Sequence, residues 1–503
     1  MLAAVLLIVP HEAEAVVSVS IPLHSPVYDA LERLDALGLL PEAMLGSKPL
    51  SRREVILWLE QIEATAMEDP LVRLLVDEIE EEMKPEPDET GEEVSPPPIR
   101  YRLADPFNLE LSGAALENQT LWFRENHQGD FYHDGPNSQL ELNSWTTLGR
   151  HLAAQFEPSV TSREGGTYLV LKKAALKMTV SNVEVEVGRD SLWWGPGYNG
   201  AMLVSDNAKP FNLFKLSSAE AFRVPWPLSY LGLCKVTLFL ARLEKDRDPD
   251  PITGIIHPYP KLLGLHLDLK PASFLEFGAT RVTLFGGQGR PALSLEDFSE
   301  IYFGKPNRNP GGSNVDEIAS VDVRIRVPRL DPFVTPLELY AEVGGEDEAD
   351  YHFTKDGYLM GMYLPDLLHH GTTDLRVEYA NNHVADNPDV WYTHGLYTSG
   401  YTYHSQIIGH HMGTDSSDLF VRLTHLLKPR LEWGLQWEEE RHGLSSQPPR
   451  PELERIGTDL TYRSSAHWQV SGRYEYERVS TINSVSGDNS RNHLVELQLE
   501  WWF

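Results

Sequence analysis

Hydrophobic and polar positions alternate one by one through most of the chain after residue 100. Across 493–503, Val495, Leu497, Leu499, Trp501 and Phe503 fall on one side of the repeat, and Glu496, Gln498 and Glu500 on the other. A period of two is that of a β-strand with one apolar and one polar face. Trp468, Val470, Gly472, Tyr474 and Tyr476 alternate in the same way with Gln469, Ser471, Arg473, Glu475 and Glu477. So do Leu431, Trp433, Leu435 and Trp437 with Glu432, Gly434, Gln436 and Glu438, and Val321, Val323, Ile325 and Val327 with Asp322, Arg324 and Arg326. A large soluble β-sandwich or propeller alternates too. Full charges of both signs at the polar positions, and aromatics at strand ends, favour a membrane barrel with a wet lumen and interfacial girdles. About ten tilted residues span the hydrocarbon core. At roughly 22 residues per strand and connection, 100–503 predicts a closed antiparallel transmembrane β-barrel of about 18 strands.

Before residue 84 the period changes. Ser25 and Pro26 open a helix with Ala30, Leu31, Leu34 and Leu37 on one face, and Gly38 stops it. Ser51-Arg52-Arg53-Glu54 is a capping box for a second helix with Val55, Trp58, Leu59 and Ile62 inward. Asp69-Pro70 caps a third, with Leu71, Leu74, Leu75 and Ile79 on its face. Residues 16–83 thus predict a small helical bundle on the periplasmic side. It is marginal alone, so Leu34, Leu37, Trp58 and Leu75 are expected to meet and the bundle to dock on the barrel's lower mouth. Residues 84–99, with the acidic, proline-rich run KPEPDETGEEVSPPP, read as a linker. The apolar start followed by Ala13-Glu14-Ala15 reads as a signal peptide over 1–15, although a positive n-region is missing.

Charge and cysteine content narrow the function. With 74 acidic and 43 basic residues the formal net charge is −31, which gives no global attraction to nucleic acid. Cys234, the single cysteine, has no internal disulfide partner and reads as a packed thiol.

Two motifs carry a family resemblance. The first is Gly188-Arg189-Asp190-Ser191-Leu192-Trp193-Trp194-Gly195-Pro196-Gly197-Tyr198-Asn199-Gly200, followed by Leu203-Val204-Ser205-Asp206-Asn207-Ala208-Lys209-Pro210. The second is Ile408-Gly409-His410-His411-Met412-Gly413-Thr414-Asp415-Ser416. Together with the helical start they resemble the capsule assembly protein family, Wzi. The terminal strand, ending on Phe503 with an aromatic two residues earlier, resembles the last strand of bacterial outer-membrane barrels. The resemblance implies an 18-stranded outer-membrane barrel with a periplasmic helical bundle. It also implies a lectin-like role, holding capsular or extracellular polysaccharide at the cell surface. Its partners would be that glycan, outer-membrane lipid and the barrel assembly machinery, with the barrel a monomer.

Read physically, Gly-Pro-Gly is rigid turn chemistry. Adjacent tryptophans at a strand end point to opposite faces, one inward and one toward lipid headgroups or a sugar. Sugars stack on aromatic rings while Arg, Asp and Asn read their hydroxyls, so Arg189, Asp190, Trp193, Trp194, Tyr198, Asp206, Asn207, His410 and Asp415 are the candidate glycan-binding residues. The competing reading makes them a girdle, a turn and a buried network that close the barrel. Asp415 is expected to bond nearby N–H groups in an Asx turn. His410 and His411 face opposite sides of any regular strand and share no metal there, so no metal or cofactor is expected. No Gly-x-Ser-x-Gly elbow or phosphate-binding loop occurs, so no catalytic residue is assigned. The alternatives to attachment are a porin or transport channel and a membrane-embedded hydrolase.

Overall fold

The structure is a computed structural model that describes residues 16–83, 99–249, 254–290, 315–327, 335–349, 352–368, 370–446, 450–464, 467–480 and 489–502. The expected signal at 1–15, the linker run 84–98 and Phe503 lie outside the described residues. Ile99, assigned above to the linker, already begins a strand, Ile99–Arg102.

Eighteen antiparallel strands form a closed barrel. The first, Phe107–Ala115, and the last, Ser490–Trp501, zip from His493↔Ala115 to Trp501↔Phe107, so no strand edge is left unpaired in hydrocarbon. Alternation sets the faces. Val495, Leu497 and Trp501 are 57%, 51% and 46% exposed on the outside, while Glu496 and Glu500 point in and are buried. No helix among the described residues is long and apolar enough to cross a membrane.

The lumen is filled, which alternation alone did not predict. Residues 16–26 are not helical: 16–22 carry no regular helix and 23–26 turn into the first one. The stretch bridges both the wall and the helical segment, with Val17 N–H donating to the Arg150 carbonyl and Arg52 N–H to the Val19 carbonyl. Three helices follow, α1 (Val27–Ala36), α2 (Arg52–Leu59) and α3 (Pro70–Met83). The Ser51 capping box is formed on both sides, and Asp69 accepts the Leu71 N–H at 2.8 Å. Leu31, Leu34, Val55, Trp58, Leu75 and Ile79 share one core. Leu37 is left out of it because α1 ends at Ala36, and Val72 and Val76, not Leu74, fill the α3 face.

This segment sits in the barrel mouth opposite loops 191–210 and 382–416, and the wall's inward charges hold it there. Lys235 Nζ reaches Glu54 at 2.5 Å, Lys177 Nζ the Ser20 hydroxyl at 2.6 Å, and Arg376 Glu32 at 2.8 Å. Arg326 pairs with Asp35, and Arg430 with Glu81 at 2.7 Å. Burial would raise the Glu32 carboxyl, but Lys48 and Arg376 hold it down to about 2.

Glu82, on the last turn of α3, is a counterexample. Burial pushes its carboxyl up to about 7, against the Ser25 hydroxyl that donates to it and the Arg52 charge nearby. The folded state therefore binds a proton that the unfolded chain, at its ordinary value of 4.5, has lost. The contribution is greatest below about 4.5 and is lost as pH rises to about 7. Unfolding temperatures measured across that window should show Glu82→Gln gaining on the wild type as pH rises; a difference independent of pH would refute the assignment.

Candidate functional site

The first motif leaves the strand Val183–Asp190 and turns down into the lumen as loop 191–210. A Cβ at Gly197 would lie 1.9 Å from the Gly200 carbonyl oxygen, so only glycine closes this turn. Trp193–Trp194 pair antiparallel with Ser47–Lys48 of the helical segment, and Gly195 N–H donates to the Gly46 carbonyl at 2.8 Å. Both tryptophans are buried inside the barrel, so neither meets lipid headgroups, contrary to the sequence expectation. The two-residue ladder lies between plug and loop, and both of its faces are covered. The Trp194 ring stacks on His266 and tilts against Phe239, each at 5.1 Å between centroids.

Wall carboxylates fix the rest of the loop. Glu378 accepts the N–H groups of Tyr198 at 2.7 Å and Asn199 at 3.0 Å. Glu342 accepts Met202 N–H at 3.0 Å. The Asn199 amide donates to Asp418 at 3.1 Å and Glu438 at 2.7 Å. The Arg376 guanidinium lies over the Tyr198 ring at 4.2 Å.

The second motif packs directly on the first. Ser205 Oγ donates to the Gly409 carbonyl at 2.6 Å, the Asn207 amide to the Ile407 carbonyl at 3.0 Å, and the Tyr392 hydroxyl to the Met202 carbonyl at 2.6 Å. A Cβ on Gly200 would fall 2.3 Å from the His410 ring, so the two motifs require each other's shape. Burial and the neighbouring His411 push the His410 pKa well below the usual histidine value, leaving a neutral ring. For His411 burial works the same way, but Glu125 and the other carboxylates around it outweigh burial and push its pKa above the usual histidine value. Asp415 does not cap a local turn. It pairs with His383 at 2.7 Å and accepts the Ser445 N–H at 2.9 Å, joining segments about thirty residues apart because the intervening strand pair brings them side by side. Trp194, Met202, Leu203, Trp391, Tyr392, Tyr401 and Ile408 belong to one apolar core within the lumen.

A hairpin, Leu121–Phe123 with Phe131–His133, completes the filling. Arg124 donates to Glu110 at 2.6 Å and to Glu496 at 3.3 Å, and the Asn126 amide to the Asn199 carbonyl at 2.8 Å. A line of bonds therefore crosses the lumen from Glu378 through Asn199, Asn126 and Arg124 to Glu110 and Glu496. Beside it lies a cavity of about 270 Å³ bordered by His24, Arg124, Trp193, Tyr198 and Asp206. Burial raises the Asp206 carboxyl, and His24, 2.9 Å away, pulls it back.

The structure thus gathers Trp193, Trp194, Tyr198, Asp206, Asn207 and His410 in the lumen. Asp190 stays on the wall with Lys173 at 2.8 Å. Arg189 is turned away from them, bonding Asn212 at 3.1 Å and the Leu171 carbonyl at 3.0 Å. There it borders a cleft of about 240 Å³ at the long-loop end, with Phe131, Arg163, Lys172, Lys209, Tyr403 and His404. The Arg163 guanidinium lies over Phe131 at 3.8 Å. Cations beside aromatic faces suit an anionic sugar. Apart from Arg189, sequence reasoning missed this cleft, because its residues come from six separate segments and the net charge pointed the other way.

Replacing Trp194 by Ala removes the largest buried contact of the first motif. The expected cost is about 3–5 kcal/mol, seen as a lower unfolding temperature of the detergent-solubilised barrel. A Trp194→Ala protein as stable as wild type would mean the ring does not brace the lumen.

The family model for "Capsule assembly protein Wzi" matches residues 110–494. A Klebsiella pneumoniae protein named as an uncharacterized 55.8 kDa protein in the cps region is 27% identical over 183 residues. That stretch is 36% of this chain and only 34% of the relative's length. An Escherichia coli protein, Wzi, described as an outer-membrane protein involved in group 1 capsule assembly and a carbohydrate-binding β-barrel, has the same fold. Its TM-score is 0.69 at 17% identity, over 95% of this chain and 98% of that one.

Proposed function

The chain belongs to the capsule assembly protein Wzi family, and from that premise we propose that it is a non-enzymatic outer-membrane barrel retaining capsular or extracellular polysaccharide at the cell surface. The observation that carries this reading is the filled lumen. A channel needs a continuous aqueous path, whereas here the helical segment, loop 191–210 and the second motif are bonded to one another across the barrel's middle. Residues 16–83 face the periplasm in this reading, and loops 191–210 and 382–416 belong to the outer half. Carbohydrate binding, described for the Escherichia coli protein of the same fold, agrees with it.

The glycan's place is the cleft bordered by Phe131, Arg163, Arg189, Lys209 and His404. The aromatic face takes the C–H side of a sugar ring and the cations its carboxylates. The buried motif residues act as the frame that holds the cleft's walls. An acidic protein repels an anionic polymer at long range, so contact is made where basic groups cluster.

Purified protein should bind its own strain's polysaccharide, less tightly as salt rises, and leave the polymer's length unchanged. Each charge-assisted bond removed is worth on the order of 1.5 kcal/mol, about tenfold in affinity, so Arg163→Ala with Lys209→Ala should weaken binding by at least that factor while the barrel stays folded. Unchanged binding would move the site elsewhere, and shortening of the polymer would refute the non-enzymatic reading. In planar bilayers the wild-type protein should insert without opening a steady conductance; a stable open channel would favour transport instead.

A further inference from the structure

Near the long-loop rim, four carboxylates converge on one imidazole nitrogen. His411 Nε2 lies 3.3 Å from Glu438 Oε1, 3.6 Å from Asp418 Oδ2, 3.7 Å from Glu440 Oε1 and 3.9 Å from Glu125 Oε2. One N–H serves one acceptor well, at about 2.7–3.2 Å. Donor atoms each about 2.1 Å from a shared ion sit roughly 3.0–3.4 Å apart. Glu438 is hydrogen-bonded to His411, while Asp418, Glu440 and Glu125 stand farther off than a good hydrogen bond, close to the edge of a coordination shell. The donor atoms of Glu125, His411, Glu438 and Glu440 all lie within 4.8 Å of one another.

A second observation points the same way. Glu440 Oε1 and Asp418 Oδ1 are buried and have no hydrogen-bond partner, with the two side chains 4% and 3% exposed. Desolvated carboxylate oxygens are not left bare without cost. The charge is also unbalanced. Arg455 is shared among Glu125, Glu438 and Glu477, and His442 attends Glu440 from its other oxygen at 3.2 Å. The Asn199 amide donates to Asp418 and Glu438 but brings no charge, so carboxylates outnumber the cations around His411.

We infer that Glu125, His411, Glu438 and Glu440 bind one divalent transition-metal ion of the Zn²⁺ or Mn²⁺ class, with Asp418 beside it. Imidazole with carboxylates suits these ions, whereas Ca²⁺ and Mg²⁺ prefer all-oxygen shells. The ligands come from three places: the hairpin loop, the second motif, and the strand Leu431–Arg441, where Glu438 and Glu440 share a face. An ion here pins hairpin and loop to the wall. The adjacency of His410 and His411 is no obstacle, because 409–416 is irregular and only His411 is used. The inference is independent of any glycan.

The test uses full-length protein in detergent, stripped with chelator and titrated with Zn²⁺ or Mn²⁺ alone. Calorimetry and metal analysis should give one equivalent bound and a higher unfolding temperature, with Ca²⁺ at the same concentration producing neither. Loss of an outer partner alone typically weakens a metal site about tenfold to a hundredfold, so His411→Ala and the isosteric Glu440→Gln should each weaken uptake at least tenfold. Absence of uptake by the stripped wild type would overturn the proposal. So would wild-type affinity in Glu440→Gln, whatever becomes of the His411→Ala fold.

Discussion

A wall of eighteen strands encloses more space than its own inward side chains can fill, and most of the structure follows from how that space is occupied. Barrels of this circumference are usually hollow. Here the filling enters from both ends. The helical segment rises from one mouth and loop 191–210 descends from the other, and they meet at the ladder between Ser47–Lys48 and Trp193–Trp194. Once that contact exists, the second motif has a surface to pack on, and the hairpin around Arg124 has partners on both sides.

The filling also gives the wall's charges their use. Inward Lys, Arg, Asp and Glu on a porin face water. In this barrel they are attachment points, as between Lys235 and Glu54, Arg376 and Glu32, or Glu342 and the Met202 N–H. Where both partners sit on the wall, as for Lys215 and Glu186 at 2.6 Å, they cancel beneath a covering segment. Ion pairs add little net stability compared with apolar packing, but each one that joins wall to plug fixes where the plug sits.

The legibility of this arrangement in the sequence was uneven for physical reasons. Strand faces were readable because alternation is local: Val495, Leu497 and Trp501 point outward as their spacing requires. The capping box at Ser51 is equally local. What fills a lumen is decided by loops, which carry no period. Trp193 and Trp194 stood out, yet nothing in adjacent residues says that Ser47 and Lys48 would run beside them. Asp415 looked like a turn residue, and its partners, His383 and Ser445, lie about thirty residues away on either side. The cleft that includes Arg189 joins residues 131, 163, 172, 209 and 403, a combination visible only after closure. A partial clue to the carboxylate cluster existed, since Glu438 and Glu440 fall on the inward phase of their strand.

The line of bonds from Glu378 through Asn199, Asn126 and Arg124 to Glu110 and Glu496 has a mechanical meaning. A hollow cylinder of strands flattens when squeezed from the side, because hydrogen bonds around its circumference resist stretching but not bending. A strut across the lumen, between wall strands five and six places apart in the ring of eighteen, stiffens the arc between them, and close-packed side chains around it resist compression. Lateral pressure from the bilayer, or a pull on one rim, is then shared between the separated strands at the strut's two ends instead of deforming the nearest hairpin.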